Sequence, residues 1–163
     1  MTMEEVIQFD VKHNFSLAIH GKRESLDKIL TCFPYNYILE LNNEIEYQVV
    51  FGHQVFKNVS AGDTMDGRVP PSWYSEFCAY CKEHAGENCV LLIRGITRCE
   101  PSKQVWLNSL VQERMLHPEL GPLPENSAIV LLVEEKEEAD YEFYNITEQL
   151  FRRLSHFFLD KNK

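Results

Sequence analysis

The residues best suited to chemistry in this chain are a glycine, a lysine and a serine near the amino terminus. Gly21, Lys22 and Ser25 follow an apolar run at 15–19 and precede residues with helical spacing. In a phosphate loop of the pattern G-x-x-x-x-G-K-[ST], backbone amides and a helix N-terminus surround the phosphates while the lysine adds charge. Here the upstream glycine is missing, and the serine stands three residues after the lysine. These residues therefore favour a strand-to-helix turn that uses the backbone freedom of Gly21, and the alternative is a reduced nucleotide site formed by Gly21, Lys22 and Ser25.

A second group of residues has the types that bind metal ions. Cys78, Cys81 and His84 are spaced three apart, and Cys89 and Cys99 follow them. Zinc sites use cysteine pairs of this spacing, but the same spacing also suits one buried helix face, where free cysteine packs as a small apolar residue. Because the last two cysteines lie at opposite ends of an apolar run, we expect no metal site. The odd number of cysteines, five, argues against a disulfide framework, and the six histidines are scattered.

Strands and helices alternate along the chain around these residues. Apolar runs predict strands, and apolar residues three and four apart predict helices. The predicted strands cover residues 15–19, 35–41, 89–93, 128–133 and 156–159, with an additional edge strand at 8–11. The predicted helices cover residues 25–32, 73–84, 101–116 and 145–154, and residues 42–70 are predicted to be irregular. We therefore expect one α/β domain over residues 1–163, with an open, mainly parallel sheet of about five strands and helices on both faces.

Composition narrows the classes of function. The formal charge is -9, from 25 acidic and 16 basic residues in 163. An acidic chain is poorly suited to direct nucleic acid binding, which needs clustered Lys and Arg. No apolar run approaches the ~18–20 residues that span a bilayer, and the N-terminus has no signal pattern. We expect a cytoplasmic protein without membrane contact. The acidic tract at 134–140 is predicted to be a solvated loop.

Six short stretches follow one another between residues 70 and 159: Pro71-Ser72-Trp73, Pro101-Ser102-Lys103-Gln104-Val105-Trp106, Val111-Gln112-Glu113-Arg114, Leu123-Pro124-Glu125-Asn126, Ile129-Val130 and Leu150-Phe151-Arg152-Arg153-Leu154-Ser155-His156. In type and order they resemble the ATPase core of bacterial MoxR-type and related AAA+ proteins. That family has a Pro-Trp segment before a helix, then a strand ending in Asp-Glu and a helix with Val-Gln and Glu-Arg. A Leu-Pro-Glu/Asp-Asn turn, a strand ending in Asn and a Leu-x-x-Arg-Phe segment follow. The resemblance implies a P-loop NTPase fold, with Gly21 and Lys22 where the phosphate loop belongs.

The chain departs from that family where the chemistry takes place. The family's Asp holds Mg²⁺ and its Glu orients the attacking water, whereas this chain has Arg94 and Gly95 in those places. Glu134 and Glu135 stand where the family has its water-positioning Asn. The chain also stops near Lys163, so we expect no lid domain.

These departures predict a non-catalytic, pseudo-ATPase domain that binds another protein and regulates or inhibits it. The expected partner is an intact AAA+ ATPase or another target protein, and the oligomeric state is open. Candidate interface residues are Arg152, Arg153, Glu134, Glu135, Glu137 and Glu138. The alternative for the two arginines is a favourable charge at a helix C-terminus.

Two other functions stay open. No cofactor is expected unless Gly21, Lys22 and Ser25 still bind ATP with Mg²⁺, which would make the chain a nucleotide-binding protein or a weak ATPase. The net charge also suits an acidic mimic of nucleic acid that inhibits a nucleic-acid-binding defence protein.

Overall fold

A parallel sheet forms the centre of the computed structural model, which describes residues 3–13, 16–60, 63–137 and 142–159. The strands are β1 (Leu17–Gly21), β2 (Asn36–Glu40), β3 (His53–Ser60), β4 (Asp63–Val69), β5 (Cys89–Arg94), β6 (Ser127–Glu134) and β7 (Ser155–Phe158). Five of them form the central sheet in the order β2-β5-β6-β1-β7, and all neighbours in it are parallel. The expected α/β fold with a five-stranded parallel sheet is therefore confirmed.

Helices cover both faces of this sheet. They are α1 (Met3–Lys12), α2 (Arg23–Ile29), α3 (Tyr47–Phe51), α4 (Ser72–Glu83), α5 (Pro101–Gln104), α6 (Asn108–Glu113) and α7 (Glu148–Phe151). On one face, Ile7 of α1 and Leu26 of α2 belong to the same buried cluster as Leu92 of β5. On the other, Phe77 of α4 packs in a cluster with Leu91 of β5. Residues that alternate along β5 thus enter opposite cores, which is why its sequence is apolar throughout.

Two predictions for the N-terminal half of the chain are wrong. Residues 8–11, predicted as an edge strand, lie within α1, and this helix buries Ile7 completely. Residues 42–70, predicted to be irregular, contain the short helix α3 and the antiparallel hairpin of β3 and β4. A cluster of apolar residues near a chain end fits either a strand or a helix period, so burial against the sheet decides between them.

The predicted helices in the second half are shorter than expected. The helix expected at 101–116 is divided into α5, a 3-10 turn at Val105–Leu107 and α6. It ends at Arg114, whose φ of 54° is left-handed. The helix expected at 145–154 is reduced to α7, which Thr147 caps by accepting a hydrogen bond from the Leu150 amide. No helix in the described part of the chain is long and apolar enough to cross a membrane.

Candidate functional site

The carboxyl ends of the central strands meet at one edge of the sheet and enclose a cavity of about 240 Å³. Ligands of open α/β proteins bind at this edge, outside the ends of the strands. The cavity is lined by Arg23, Leu26, Asp27, Glu40, Leu41, Arg94, Gly95, Arg98, Leu132 and Glu134. Three arginines and three carboxylates are therefore concentrated at the position where this fold binds ligands.

Five of these six charged side chains, all except Asp27, are paired with one another. The Arg23 Nε donates to Glu134 Oε2 at 2.9 Å, and Arg98 Nη2 lies 3.4 Å from the same oxygen. The side chain of Glu134 is only 16% exposed. Arg94 Nε donates to Glu40 Oε1 at 2.8 Å. The cavity walls are therefore held together by ion pairs that join α2, the turn after β5, and the ends of β2 and β6.

The junction between β1 and α2 leaves no room for a phosphate loop. β1 ends at Gly21 and α2 begins at Arg23, so Lys22 is the one residue between them, in an extended conformation. Gly21 pairs in register with Glu134, and its carbonyl accepts from the Glu135 amide at 2.9 Å. The expectation that Gly21 forms a turn is therefore wrong, because it is a strand residue. A phosphate cradle needs several successive amides pointing at the ligand, and a single linking residue cannot supply them.

None of the three predicted nucleotide-binding residues, Gly21, Lys22 and Ser25, lines the cavity. Lys22 is exposed and Ser25 is half-buried. Neither belongs to the described residues that line the cavity, which instead takes Arg23, Leu26 and Asp27 from α2. A nucleotide site that uses Gly21, Lys22 and Ser25 remains a prediction.

The two residues in the places of the magnesium ligand and the base, Arg94 and Gly95, do line the cavity. Gly95 has φ of 88°, and a Cβ on it would stand 2.0 Å from the carbonyl oxygen of Leu41. The close approach follows from the sheet, since the Leu41 amide donates to Arg94 O at 2.8 Å. No side chain fits at this position on the present backbone, so a carboxylate base is sterically excluded there.

The predicted interface residues have different surroundings. Glu134 ends β6 inside the cavity, so the prediction that the acidic tract is a solvated loop is wrong for this residue. Glu135 and Glu137 are half-buried, and Glu138 lies outside the described residues.

The two predicted interface arginines follow α7. Arg152 is exposed and pairs with Glu148 one turn earlier. Arg153 donates to Gln112 Oε1 at 2.6 Å and to the Gln149 carbonyl at 2.5 Å. An interface role for both arginines remains a prediction.

Sequence reasoning missed Arg23, Arg98 and Glu40. The available signal was position, because each stands at or just after the carboxyl end of a strand in a parallel sheet, where side chains converge. Sequence reasoning also gave no sign that the polar residue Gln104 is fully buried. Its Nε2 donates to the carbonyls of Cys99 and Asn145, and its Oε1 accepts from the Thr147 amide.

The cysteines and histidines show no metal site in the part of the chain that is described, where no three His, Cys, Asp or Glu could hold an ion together. Cys81 and Cys99 are buried, and burial raises the pKa of these thiols to about 12 and about 11. Two histidines do meet, since His20 Nε2 lies 2.7 Å from His156 Nδ1, joining β1 to β7.

A comparison with solved structures supports the same fold. The crystal structure of a proposed ATPase from Cytophaga hutchinsonii matches 98% of this chain with a TM-score of 0.58 and 14% sequence identity. The match covers 46% of that protein, so this chain spans less than half of its length. No protein-family model matches the chain, and no curated protein sequence matches it. At this identity the likeness shows the fold alone, which is an α/β fold with a five-stranded parallel sheet.

Proposed function

We propose that this chain is a non-catalytic AAA+-like domain that acts by binding another protein, whose activity it regulates or inhibits. The observation that carries the proposal is that the chain's own ion pairs occupy the ligand-binding edge of the central sheet. Glu134 is held by Arg23 and Arg98, and Lys22 alone connects β1 to α2. The edge that would hold a nucleotide is therefore used to hold strands and helices together.

The chemistry of phosphoryl transfer supports this proposal. That reaction needs a carboxylate linked to Mg²⁺, a group that orients the attacking water, and donors around the phosphates. Arg94 puts a cation at the first position, and Gly95 has no space for a side chain at the second. A cation in the place of the family's magnesium ligand would repel Mg²⁺, which argues against binding of the metal at this position.

A domain that keeps this fold but lacks the groups needed for phosphoryl transfer can still bind other proteins through its surface. The net charge of -9 favours a partner with a basic surface. Arg152 is exposed after α7, and Glu135 and Glu137 follow β6. We propose that the partner is either an intact ATPase of the same fold or an unrelated protein.

The test combines capture of a partner with an assay for turnover. The immobilised chain is incubated with lysate of its native host, and captured proteins are identified by mass spectrometry. Purified chain is assayed in parallel for phosphate release from ATP with Mg²⁺. We expect a specific protein to be captured in a stoichiometric amount, and phosphate release at the level of a Lys22→Ala control. ATP turnover that the Lys22→Ala variant loses, together with no captured partner, would reverse the proposal.

A nucleotide-binding protein is the second candidate, because three arginines line the cavity. Arg23, Arg94 and Arg98 could contact an anion if their carboxylate partners moved away. At about 240 Å³ the cavity is smaller than the ~300–1,000 Å³ of most small-molecule sites. Every one of the three guanidinium groups is also paired with a carboxylate, so part of the positive charge that an anion would meet is already compensated.

A further inference from the structure

A second groove lies beside β2, the terminal strand of the central sheet. It measures about 560 Å³ and runs between this strand, α3, the base of the β3–β4 hairpin and the start of α4. Leu39 and Trp73 are buried residues of its lining, and Val49 and Val69 line it while remaining 53% and 42% exposed. The groove thus combines apolar walls with an adjacent strand edge.

The outer edge of β2 offers backbone groups for a further strand. On the inner side, Tyr35 O accepts from the Val90 amide and the Leu41 amide donates to Arg94 O, both at 2.8 Å. Backbone direction alternates along a strand in a parallel ladder, so the amide and carbonyl of Ile38 point away from β5. In the described residues of the central sheet no strand lies beyond β2. The side chain of Ile38 is 40% exposed.

The charge of the groove selects among possible occupants. Three carboxylates line it, those of Glu40, Glu46 and Glu76, and its described lining contains no Lys or Arg. Glu40 is engaged by Arg94 and Glu76 by the hydroxyl of Tyr37, whereas Glu46 is exposed at the start of α3. Apolar walls with an acidic rim are complementary to a segment that carries both apolar and basic side chains.

We propose that this groove binds an extended segment of a partner protein in which apolar residues alternate with Lys or Arg, added to β2 as a sixth strand. Main-chain hydrogen bonds to an exposed sheet edge supply affinity in such complexes, and alternate side chains supply specificity. In this arrangement the apolar side chains face the groove and contact Val49 and Val69. The basic side chains project from the opposite face of the added strand, so the carboxylates of the rim, including Glu46, attract them through space and not by direct contact. The inference rests on the proposed function and names the surface and the partner chemistry.

Three fluorescent nine-residue peptides test the inference by anisotropy: alternating Lys and Val, alternating Glu and Val, and alternating Lys and Gly. We expect the Lys/Val peptide to bind at least about tenfold more tightly than the other two. Ile38→Pro removes an amide that the sheet does not use, and Glu46→Lys reverses the rim charge. Each should weaken the Lys/Val peptide about tenfold, and Glu83→Lys, at the far end of α4, should not.

Several outcomes would overturn the inference. Equal binding of the three peptides, no binding of any, or binding that ignores Ile38→Pro and Glu46→Lys would each exclude the groove as the site. The capture experiment would still test the proposed function in those cases. If sedimentation shows a dimer that Ile38→Pro converts to a monomer, a second copy of this chain occupies the edge instead. Should the proline variant fail to fold by circular dichroism, Glu46→Lys and its Glu83→Lys control decide the question.

Discussion

Replacing Gly95 by alanine should destabilise the chain much more than the same replacement at Gly86. Both glycines have a left-handed backbone, with φ of 88° and 94°. They differ in space, because a Cβ at position 86 meets nothing within 4 Å, whereas one at position 95 stands 2.0 Å from Leu41 O. The pair therefore separates the cost of the backbone conformation from the cost of the steric clash.

The magnitude follows from these contacts. A left-handed alanine costs about 1–2 kcal/mol at either site. At Gly95 the Leu41 carbonyl must also retreat by about 1 Å to reach 3.0 Å, the lower limit for real Cβ contacts. That movement adds about 1–3 kcal/mol of overpacking and weakens the bond from the Leu41 amide to Arg94, worth about 1 kcal/mol. We expect a loss of about 3–6 kcal/mol for Gly95→Ala and about 1–2 kcal/mol for Gly86→Ala.

Urea unfolding, followed by tryptophan fluorescence, measures both losses of free energy. The slope of the free energy of unfolding against urea concentration should be the same in both variants, which shows that they expose similar surface on unfolding. If the free energy of unfolding falls by the same amount in the two variants, within about 0.5 kcal/mol, the steric reasoning is refuted. The exclusion of a carboxylate base at position 95 would then lose its support, because a side chain would have been accommodated there.

Three further predictions concern polar side chains. Gln104→Leu should lower the free energy of unfolding by about 2–4 kcal/mol, because three backbone groups lose their buried partner; an unchanged urea midpoint would contradict this. Cys81 should resist a thiol reagent at pH 8 until the chain unfolds, because burial raises its pKa to about 12. The less buried Cys32 should react earlier, and labelling of both cysteines at the same rate would contradict this. Burial, and to a smaller extent Glu76, raise the pKa of Tyr37 to about 12. The protonated hydroxyl therefore contributes fully to the free energy of unfolding below pH ~10, and this contribution is lost as the pH rises towards 12. Tyr37→Phe should make the urea midpoint less sensitive to pH in that range.

The sheet could be predicted from sequence because its strands are apolar on both sides. Cys89–Arg94 and Ser127–Glu134 lie within two covered faces, so a continuous apolar run marks each of them. The hairpin of β3 and β4 was missed, since its residues alternate little between apolar and polar types. Tyr47–Phe51 was also missed, because its composition favours a strand while its position after the Glu46 cap allows a short helix.

The site was predicted only in part. Comparison with ATPases located Arg94 and Gly95, and both line the cavity. The pairing of Arg23 and Arg98 with Glu134 could not be read from the sequence, because the three residues are far apart along the chain and only the parallel topology brings them together. The steric limit at Gly95 was also hidden, since it depends on how closely Leu41 passes.

The most direct test of the filled ligand-binding edge is calorimetric titration of ATP into the chain, with and without Mg²⁺. The ion pairs of Glu134 with Arg23 and Arg98 predict no saturable heat at about 1 mM ATP. Any free energy of ATP binding would then be weaker than about 4 kcal/mol. The result should be the same for the wild type and for Lys22→Ala. Saturable binding that strengthens with Mg²⁺ and disappears in Lys22→Ala would contradict the proposal and establish a nucleotide site at this edge.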